Sequence, residues 1–374
     1  MIIGLNLLYL LRGVNGGTES YARGLVDGLG RAGAKHEFVV YLNRSAADWP
    51  LPDAGNFRRA VCAVDGASRG VRYAYEQMVL PLRLRRDQVD VVHSLGYVGP
   101  LLVSCSSVVT IHDLNYKACP MSALRRSMLS FFVRQSALRA DRIIAVSEFT
   151  RRELAGGVPE AAEKISVIYE AASRRQIAPE PLDRDCLGPS PPVPYAVAFS
   201  SRSPHKNILR LVDAFRRARA RSCLPHRLVV IGRVPDGMIL DNEVISVGFQ
   251  PDEVVARLLA GAEFLAFPST YEGFGLPLLE AMEAGLPVLC SSAGSLPEIA
   301  ADAALIFDPY SVDEMEVAIT RMATDAKLVQ DLRARGRRNL ERFSWDKAAR
   351  ETVAVYEQLQ GERRRGRAKD VADD

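Results

Sequence analysis

Short apolar runs alternate with amphipathic stretches along most of the chain. Residues 2–8 read as a buried strand; Gly13, Gly16 and Gly17 follow, and the next stretch repeats apolar positions at Tyr21, Leu25 and Leu29, one face of a helix. Further strands are predicted at 39–42, 89–93, 107–112, 143–146 and 165–168, with helices at 73–84 and 122–138. The pattern dissolves between 171 and 194, where Pro179, Pro181, Pro189, Pro191, Pro192 and Pro194 exclude helix and sheet interior alike. It restarts with a strand at 195–199, a helix on Ile208, Leu211, Val212 and Phe215, strands at 228–231, 244–247, 264–267 and 288–290, and an apolar stretch at 303–307. Helices are predicted at 252–259 and from 312 to 342.

Alternation of this kind predicts an α/β protein with two doubly wound parallel-sheet domains. The expected division is 1–172, a Pro-rich linker at 173–193, and 194–345. A last helix at 346–360, apolar at Ala348, Val353, Val355, Tyr356 and Leu359, is expected to dock, and a charged tail at 361–374 to be disordered. A chain of 374 residues that is 48% hydrophobic and 25% charged is long enough for two cores.

The net charge of +3 gives no reason to expect nucleic acid, yet the basic residues are uneven: from Arg69 to Arg142 there are eleven Lys and Arg against five Asp and Glu. Within that segment 121–139 interleaves Arg125, Arg126 and Arg134 with Leu124, Met128, Leu129, Phe131 and Phe132, a composition suited to peripheral contact with an anionic membrane. A packed helix with snorkelling arginines has the same composition. The six cysteines show no C-x-x-C pair or histidine cluster, which points to neither a zinc site nor a disulfide framework and fits a reducing cytoplasm. No apolar stretch approaches the length of a spanning helix.

Chemistry concentrates at strand ends. The predicted strand 264–267 leads into Glu272-Gly273-Phe274-Gly275-Leu276-Pro277, and Gly285 ends the helix that follows. Such a turn aims backbone N–H groups of Phe274, Gly275 and Leu276, with a helix dipole, at one point suited to an anion. Glu272 and Glu280, seven residues between them, add acceptors suited to sugar hydroxyls, so the ligand expected is a nucleotide sugar. Arg202 and Lys206 follow the strand 195–199 and put two cations beside a helix start. His93 and His112 end two strands of the first domain, where Gly16 and Gly17 permit a close backbone approach; His93 reads as a capped strand end and His112 as the functional one. Asp183-Arg184-Asp185 has the D-x-D form of a metal site but lies in Pro-rich sequence with no strand before it, and no metal is expected.

These residues resemble the signature of retaining GT-B glycosyltransferases of the family 4 type. Glu272 to Glu280 is similar to its E-x7-E element, and the segments 16–21, 110–114, 200–207, 294–298 and 343–345 resemble family blocks in their usual order, over roughly residues 1–360. The resemblance implies a GT-B fold, two Rossmann-like domains facing across a cleft, with the last helix crossing back to the first. It implies that Glu280 holds the nucleotide ribose, Glu272 the transferred sugar, and Arg202 and Lys206 the diphosphate; their spacing, one residue shorter than in many relatives, favours Lys206. His112 would reach the donor sugar, with Asp113 fixing its ring. No cofactor is implied beyond the sugar-nucleotide donor, and the acceptor would be a saccharide or a lipid-linked one. Similarity of Pro204-His205-Lys206-Asn207 and of the Glu272–Pro277 wording to mannosyltransferase-like members implies GDP-mannose, retention of configuration, and a cytoplasmic place in surface polysaccharide or glycolipid assembly. A GT-B epimerase or phosphorylase shares these features. A dinucleotide-dependent oxidoreductase would need the G-x-G-x-x-G fingerprint that the first strand lacks, and a non-catalytic sugar-nucleotide binder would not need both the acids and the cations.

Overall fold

The computed structural model describes all residues except 12, 14, 15, 118–120, 173–192, 202, 373 and 374. Two compact units divide the chain: Met1–Lys117, Met121–Ala171 and Phe343–Asp374 form the first, and Ala172–Arg342 the second. The first holds a sheet of β1 (Ile2–Leu7), β2 (Glu37–Leu42), β3 (Phe57–Val61), β4 (Val91–Ser94), β5 (Ser106–Ile111), β6 (Arg142–Ala145) and β7 (Ile165–Val167). Its strand order is β3-β2-β1-β4-β5-β6-β7 and every pairing is parallel. Between these strands run α1 (Gly17–Ala32), α2 (Arg69–Met78), α3 (Leu80–Arg86), α4 (Ala123–Arg139) and α5 (Glu148–Gly157).

The second unit repeats the plan with β8 (Tyr195–Ser200), β9 (Arg227–Gly232), β10 (Val244–Gly248), β11 (Phe264–Phe267), β12 (Val288–Ser291) and β13 (Ala304–Phe307) in the order β10-β9-β8-β11-β12-β13, again all parallel. Between and after them run α6 (Ile208–Ser222), α7 (Asp252–Gly261), α8 (Leu276–Glu283), α9 (Leu296–Ala300), α10 (Val312–Thr324) and α11 (Ala326–Asn339). Apolar residues of α6 and α10 fill the space over the central strands, with Phe215, Phe264 and Met315 almost wholly buried. In both sheets the direction of winding reverses between two adjacent strands, β1 and β4 in one, β8 and β11 in the other. Crevices at such switch points take the ligands of open α/β sheets.

Several details depart from the sequence pattern. The strand β3 was not expected: Phe57-Arg58-Arg59-Ala60-Val61 lies at a sheet edge, where its arginines stay exposed and no apolar run is needed. The predicted helix 73–84 is two helices, because Pro81 in the first turn of α3 has no N–H to continue α2. The second unit ends at Arg342, since Phe343 packs its ring against Tyr169 of the first unit at 5.6 Å.

The last helix, α12 (Trp345–Ala372), belongs to the first unit and lies along α1. A methyl group added at Gly24 would come within 2.0 Å of the Trp345 ring, and one at Gly28 within 2.6 Å of the Trp345 carbonyl, so these two glycines form the groove that admits the helix. Segment 361–374, expected to be disordered, instead continues this helix to Ala372. Glu362 and the arginines 363 to 365 favour helix, and the segment is tied down by the Arg142–Glu362 ion pair at 2.6 Å and by a hydrogen bond from Arg363 to the Ser104 carbonyl. The Pro-rich linker, apart from residue 193, falls outside the described residues, as does Asp183-Arg184-Asp185.

Candidate active site

In the second unit, the loops after β8 and β11 meet at the switch point. Lys206 Nζ lies 2.6 Å from Glu272 Oε1 and 5.0 Å above the Phe267 ring, and both charged side chains keep a minor part of their surface in solvent. Two connections fix this meeting. The Thr270 amide donates to the His205 carbonyl at 2.8 Å, and the Asn207 side-chain amide donates to the carbonyls of Pro268 and Pro309 at 3.1 and 2.7 Å. Asn207 takes the left-handed conformation, φ 55°, that Asn tolerates better than most residues. Arg202 lies outside the described residues.

The Glu272 loop is held from behind by Ser295. Its amide and hydroxyl both donate to the Glu272 carbonyl, at 3.1 Å each, and the hydroxyl also reaches the Phe274 carbonyl at 2.6 Å. Gly294, φ 63°, must be glycine for a second reason, because a Cβ would sit 2.6 Å from the Glu272 carbonyl oxygen. Gly275, φ 114°, precedes the first residue of α8, and Phe274 and Leu276 bury their side chains. What these three residues can offer a ligand is backbone N–H at a helix start. Glu280 is half-buried one turn further on, while Glu283 on the same helix is exposed. Sequence reasoning assigns no role to Asn207, Gly294 or Ser295; the hydrogen bonds by which Asn207 and Ser295 tie the loops together span 21 to 102 residues of chain, Gly294 acts by its close approach to the Glu272 backbone, and no local pattern signals them.

In the first unit, His112 follows β5 and is 6% exposed. Its Nε2 donates to the Leu95 carbonyl at 2.8 Å and its Nδ1 lies 3.1 Å from Glu170 Oε1. Tyr21 and Tyr97 stand edge-on to the ring at 4.6 and 5.7 Å. Burial alone would lower the imidazole pKa, but the hydrogen bond and charge of Glu170, the Leu95 carbonyl and Asp113 outweigh it and raise the value. The carboxyl that fixes the ring is Glu170, at the end of the segment after β7. Asp113, expected in that role, instead accepts from the Tyr97 hydroxyl at 2.9 Å and from the Asn115 amide at 2.8 Å. The sequence signal for Glu170 was an acid just past a short strand, which a turn would explain equally well.

His93 is fully buried and structural: Nδ1 meets the Tyr356 hydroxyl of α12 and Nε2 lies 2.8 Å from Thr110 Oγ1, itself 3.0 Å from the Tyr21 hydroxyl. Burial, with the neighbouring His112 charge, pushes its pKa down to about 3. Gly16 precedes α1 at φ 50° with open space where a Cβ would be, so backbone conformation and not crowding requires glycine there; Gly17 is the first residue of the helix. Among the described residues no group of three His, Cys, Asp or Glu is arranged to hold a metal ion.

Comparison with known proteins places this arrangement. Glycosyltransferase Family 4 matches residues 15–172, and Glycosyl transferases group 1 matches residues 188–339. The chain is 30% identical over 274 residues to the O-antigen chain mannosyltransferase B of Escherichia coli, covering 68% of this chain and 70% of that protein. It belongs to the family 4 glycosyltransferases of the GT-B fold. Over a shorter stretch, 110 residues, it is 44% identical to the MMP alpha-(1->4)-mannosyltransferase of Mycolicibacterium hassiacum, covering 28% of this chain and 27% of that one. Among solved structures, sucrose-phosphate synthase from Thermosynechococcus elongatus superposes with a TM-score of 0.78 at 19% identity, over 97% of this chain and all of that one. Anabaena HepE, solved with UDP and glucose, superposes at 0.65 and 19% identity over 96% and 100%. In this family 4 glycosyltransferase the two matched segments correspond to the two units, and the Lys206–Glu272 pair falls in the second.

Proposed function

We propose that this glycosyltransferase moves mannose from GDP-mannose to a hydroxyl of a saccharide or lipid-linked acceptor, with retention of configuration and without a metal, in cytoplasmic assembly of a surface polysaccharide or glycolipid. The observation that carries the reading is the Lys206–Glu272 pair at the switch point of the second sheet. A cation and an acid that neutralise one another can part when a diphosphate takes the cation, which leaves the carboxylate to accept from sugar hydroxyls. The mannosyltransferase relatives support the choice of sugar.

Glu280 is assigned to the ribose hydroxyls, and the backbone of Phe274, Gly275 and Leu276 to phosphate or sugar. Gly16 and Gly17 are assigned to a close approach of the first unit's backbone to substrate, and Arg202 with Lys206 to the diphosphate. Phe249, which follows β10 and is 71% exposed, is assigned to stacking on the base. No carboxylate is assigned as a nucleophile. The acceptor oxygen forms its bond to the anomeric carbon on the face from which the phosphate departs; the C–O bond to phosphate breaks, and the acceptor proton passes to a departing phosphate oxygen. Lys206 and the start of α8 stabilise the charge that develops there. His112 is assigned a hydrogen bond to the sugar, made by Nε2 in exchange for the Leu95 carbonyl.

The acceptor's carrier is a lipid surface in this reading. The helices α2, α3 and α4 hold nine arginines and one acid, the buried Glu76. Val71, Met78, Leu82, Leu124, Met128 and Phe131 are exposed on the same helices, and Tyr73 of α2 meets Phe132 of α4 at 4.9 Å. Apolar and cationic residues side by side suit the boundary of an anionic bilayer. Among the described residues no helix is long and apolar enough to cross a membrane.

Thermal shift with GDP, UDP and dTDP sugars, followed by turnover with the stabilising donor, tests the reading. GDP-mannose is expected to raise Tm most, and transfer to proceed in EDTA. Preference for another base, consumption of donor by epimerisation alone, or a requirement for added Mg²⁺ would each remove the corresponding part. Co-sedimentation at low salt is expected with vesicles containing phosphatidylglycerol and not with pure phosphatidylcholine; equal binding to both removes the lipid surface.

A further inference from the structure

At the switch point of the first sheet, Asn6 of β1 donates to Ser94 Oγ of β4 at 3.1 Å, and both residues are almost wholly buried. Glu76 of α2 joins them: it is 2% exposed, and the Asn6 amide reaches its carboxyl. Arg72, one helical turn earlier, places Nε 3.9 Å from Glu76 Oε1 and stacks its guanidinium over the Tyr73 ring at 4.8 Å. Glu76 Oε2 and Arg72 Nε are both buried and both lack a hydrogen-bond partner. Tyr9 lies close enough for its hydroxyl to feel the Arg72 charge, with its ring against Gly96, where a Cβ would come within 2.8 Å.

Buried polar atoms without partners are uncommon, and each costs free energy unless something fills the gap. These two have opposite needs. The carboxyl oxygen wants a donor and the guanidinium N–H wants an acceptor. A phosphate would suit Arg72 and be repelled by Glu76; an ammonium would suit Glu76 and be repelled by Arg72. A hydroxyl group satisfies both, because it donates one hydrogen and accepts another. The position is also where a doubly wound sheet receives ligand.

We propose that Arg72 and Glu76 form a subsite for one hydroxyl group of a neutral saccharide acceptor. This rests on the glycosyl-transfer reading above. A site built to hydrogen-bond a hydroxyl discriminates sharply against the analogue that lacks it, because the buried carboxyl and guanidinium are then both left without a partner. Arg72 and Glu76 therefore select the acceptor, and the donor-binding residues of the second unit are untouched by them.

The test is saturation-transfer NMR with methyl α-glycosides of mannose, glucose and galactose, on the wild type, Glu76→Gln and Arg72→Met. Saturable binding of at least one glycoside to the wild type is expected. Its affinity should fall about tenfold or more in both variants, the range for a lost hydrogen bond to a charged group, while GDP affinity stays unchanged. If an ordered water fills the gap instead, the substitutions shift Tm and leave glycoside affinity as it was, which overturns the proposal; so does the absence of glycoside binding to the wild type. Should Glu76→Gln fail to fold, Arg72→Met, in which the partly exposed guanidinium is replaced, decides alone. Glycoside binding that survives in a protein unable to consume any sugar nucleotide would overturn the glycosyl-transfer reading and leave the subsite standing.

Discussion

The two switch points are built from the same strand order and from different materials. At the second sheet the polar groups are a largely buried ion pair that keeps an edge in solvent, Lys206–Glu272, and backbone amides set by Gly275, Gly294 and Ser295. At the first sheet they are buried side chains, His93, His112, Glu170, Glu76 and Asn6, that mostly satisfy one another. A pair that still touches solvent can exchange its partner for an incoming ion at a lower desolvation cost than a fully buried one, whereas a buried network holds one geometry and resists charging. Recognition of a charged donor and positioning of a neutral group call for these two constructions respectively.

Substitutions at each end should therefore fail in different ways. Glu272→Gln removes an acceptor at the transferred sugar, and turnover is expected to fall about 10²- to 10³-fold with Tm within a few degrees of the wild type. A large drop in Tm with turnover per folded molecule preserved would reverse the contrast.

Next in size is a pH effect at the first sheet. Burial, with Arg72 and Asn6 opposing it, raises the Glu76 carboxyl from the ordinary 4.5 to about 7. The folded state then binds a proton more tightly than the unfolded chain, so stability is fully present below pH 4.5 and declines as pH rises toward 7, by about 3 kcal/mol at most. Denaturant titrations from pH 4.5 to 7.5 should show a steeper decline in the wild type than in Glu76→Gln, where the raised pKa of His112 still gives a slope of the same sign; parallel curves would refute it.

A smaller loss is expected from Tyr356→Phe, which takes one partner from the buried His93: about 1–2 kcal/mol in chemical denaturation, with turnover at 25 °C retained. Smaller again is Ser295→Ala, where the loss of two hydroxyl hydrogen bonds should loosen the Glu272 loop and raise the donor KM a few-fold, measured by steady-state kinetics, while kcat changes less.

The sequence carried the strand succession and the E-x7-E loop because both are local: apolar runs mark buried parallel strands, and glycine with proline marks the turn into α8. It hid what depends on distant pairing. Glu76 looked like any acid in a charged helical stretch, and only the fold packs it against Asn6. Glu170 was passed over for Asp113, which stands beside His112 in sequence but turns to Tyr97. The edge strand β3 escaped because exposure on both sides removes the apolar alternation by which strands are read.

The groove of Gly24 and Gly28 on α1 has a consequence for the order in which the protein can be made. Trp345 fills it from more than 300 residues downstream. On a ribosome the first 170 residues emerge with that groove open, and the buried hydroxyl of Tyr356 is not yet there to meet His93. The second unit, whose residues from 195 onward lie in one continuous segment, can close as soon as it has left the exit tunnel. The unit begun first is thus finished last, and a released chain that ends near residue 342 would expose the α1 groove to chaperones or proteases while carrying a completed second unit.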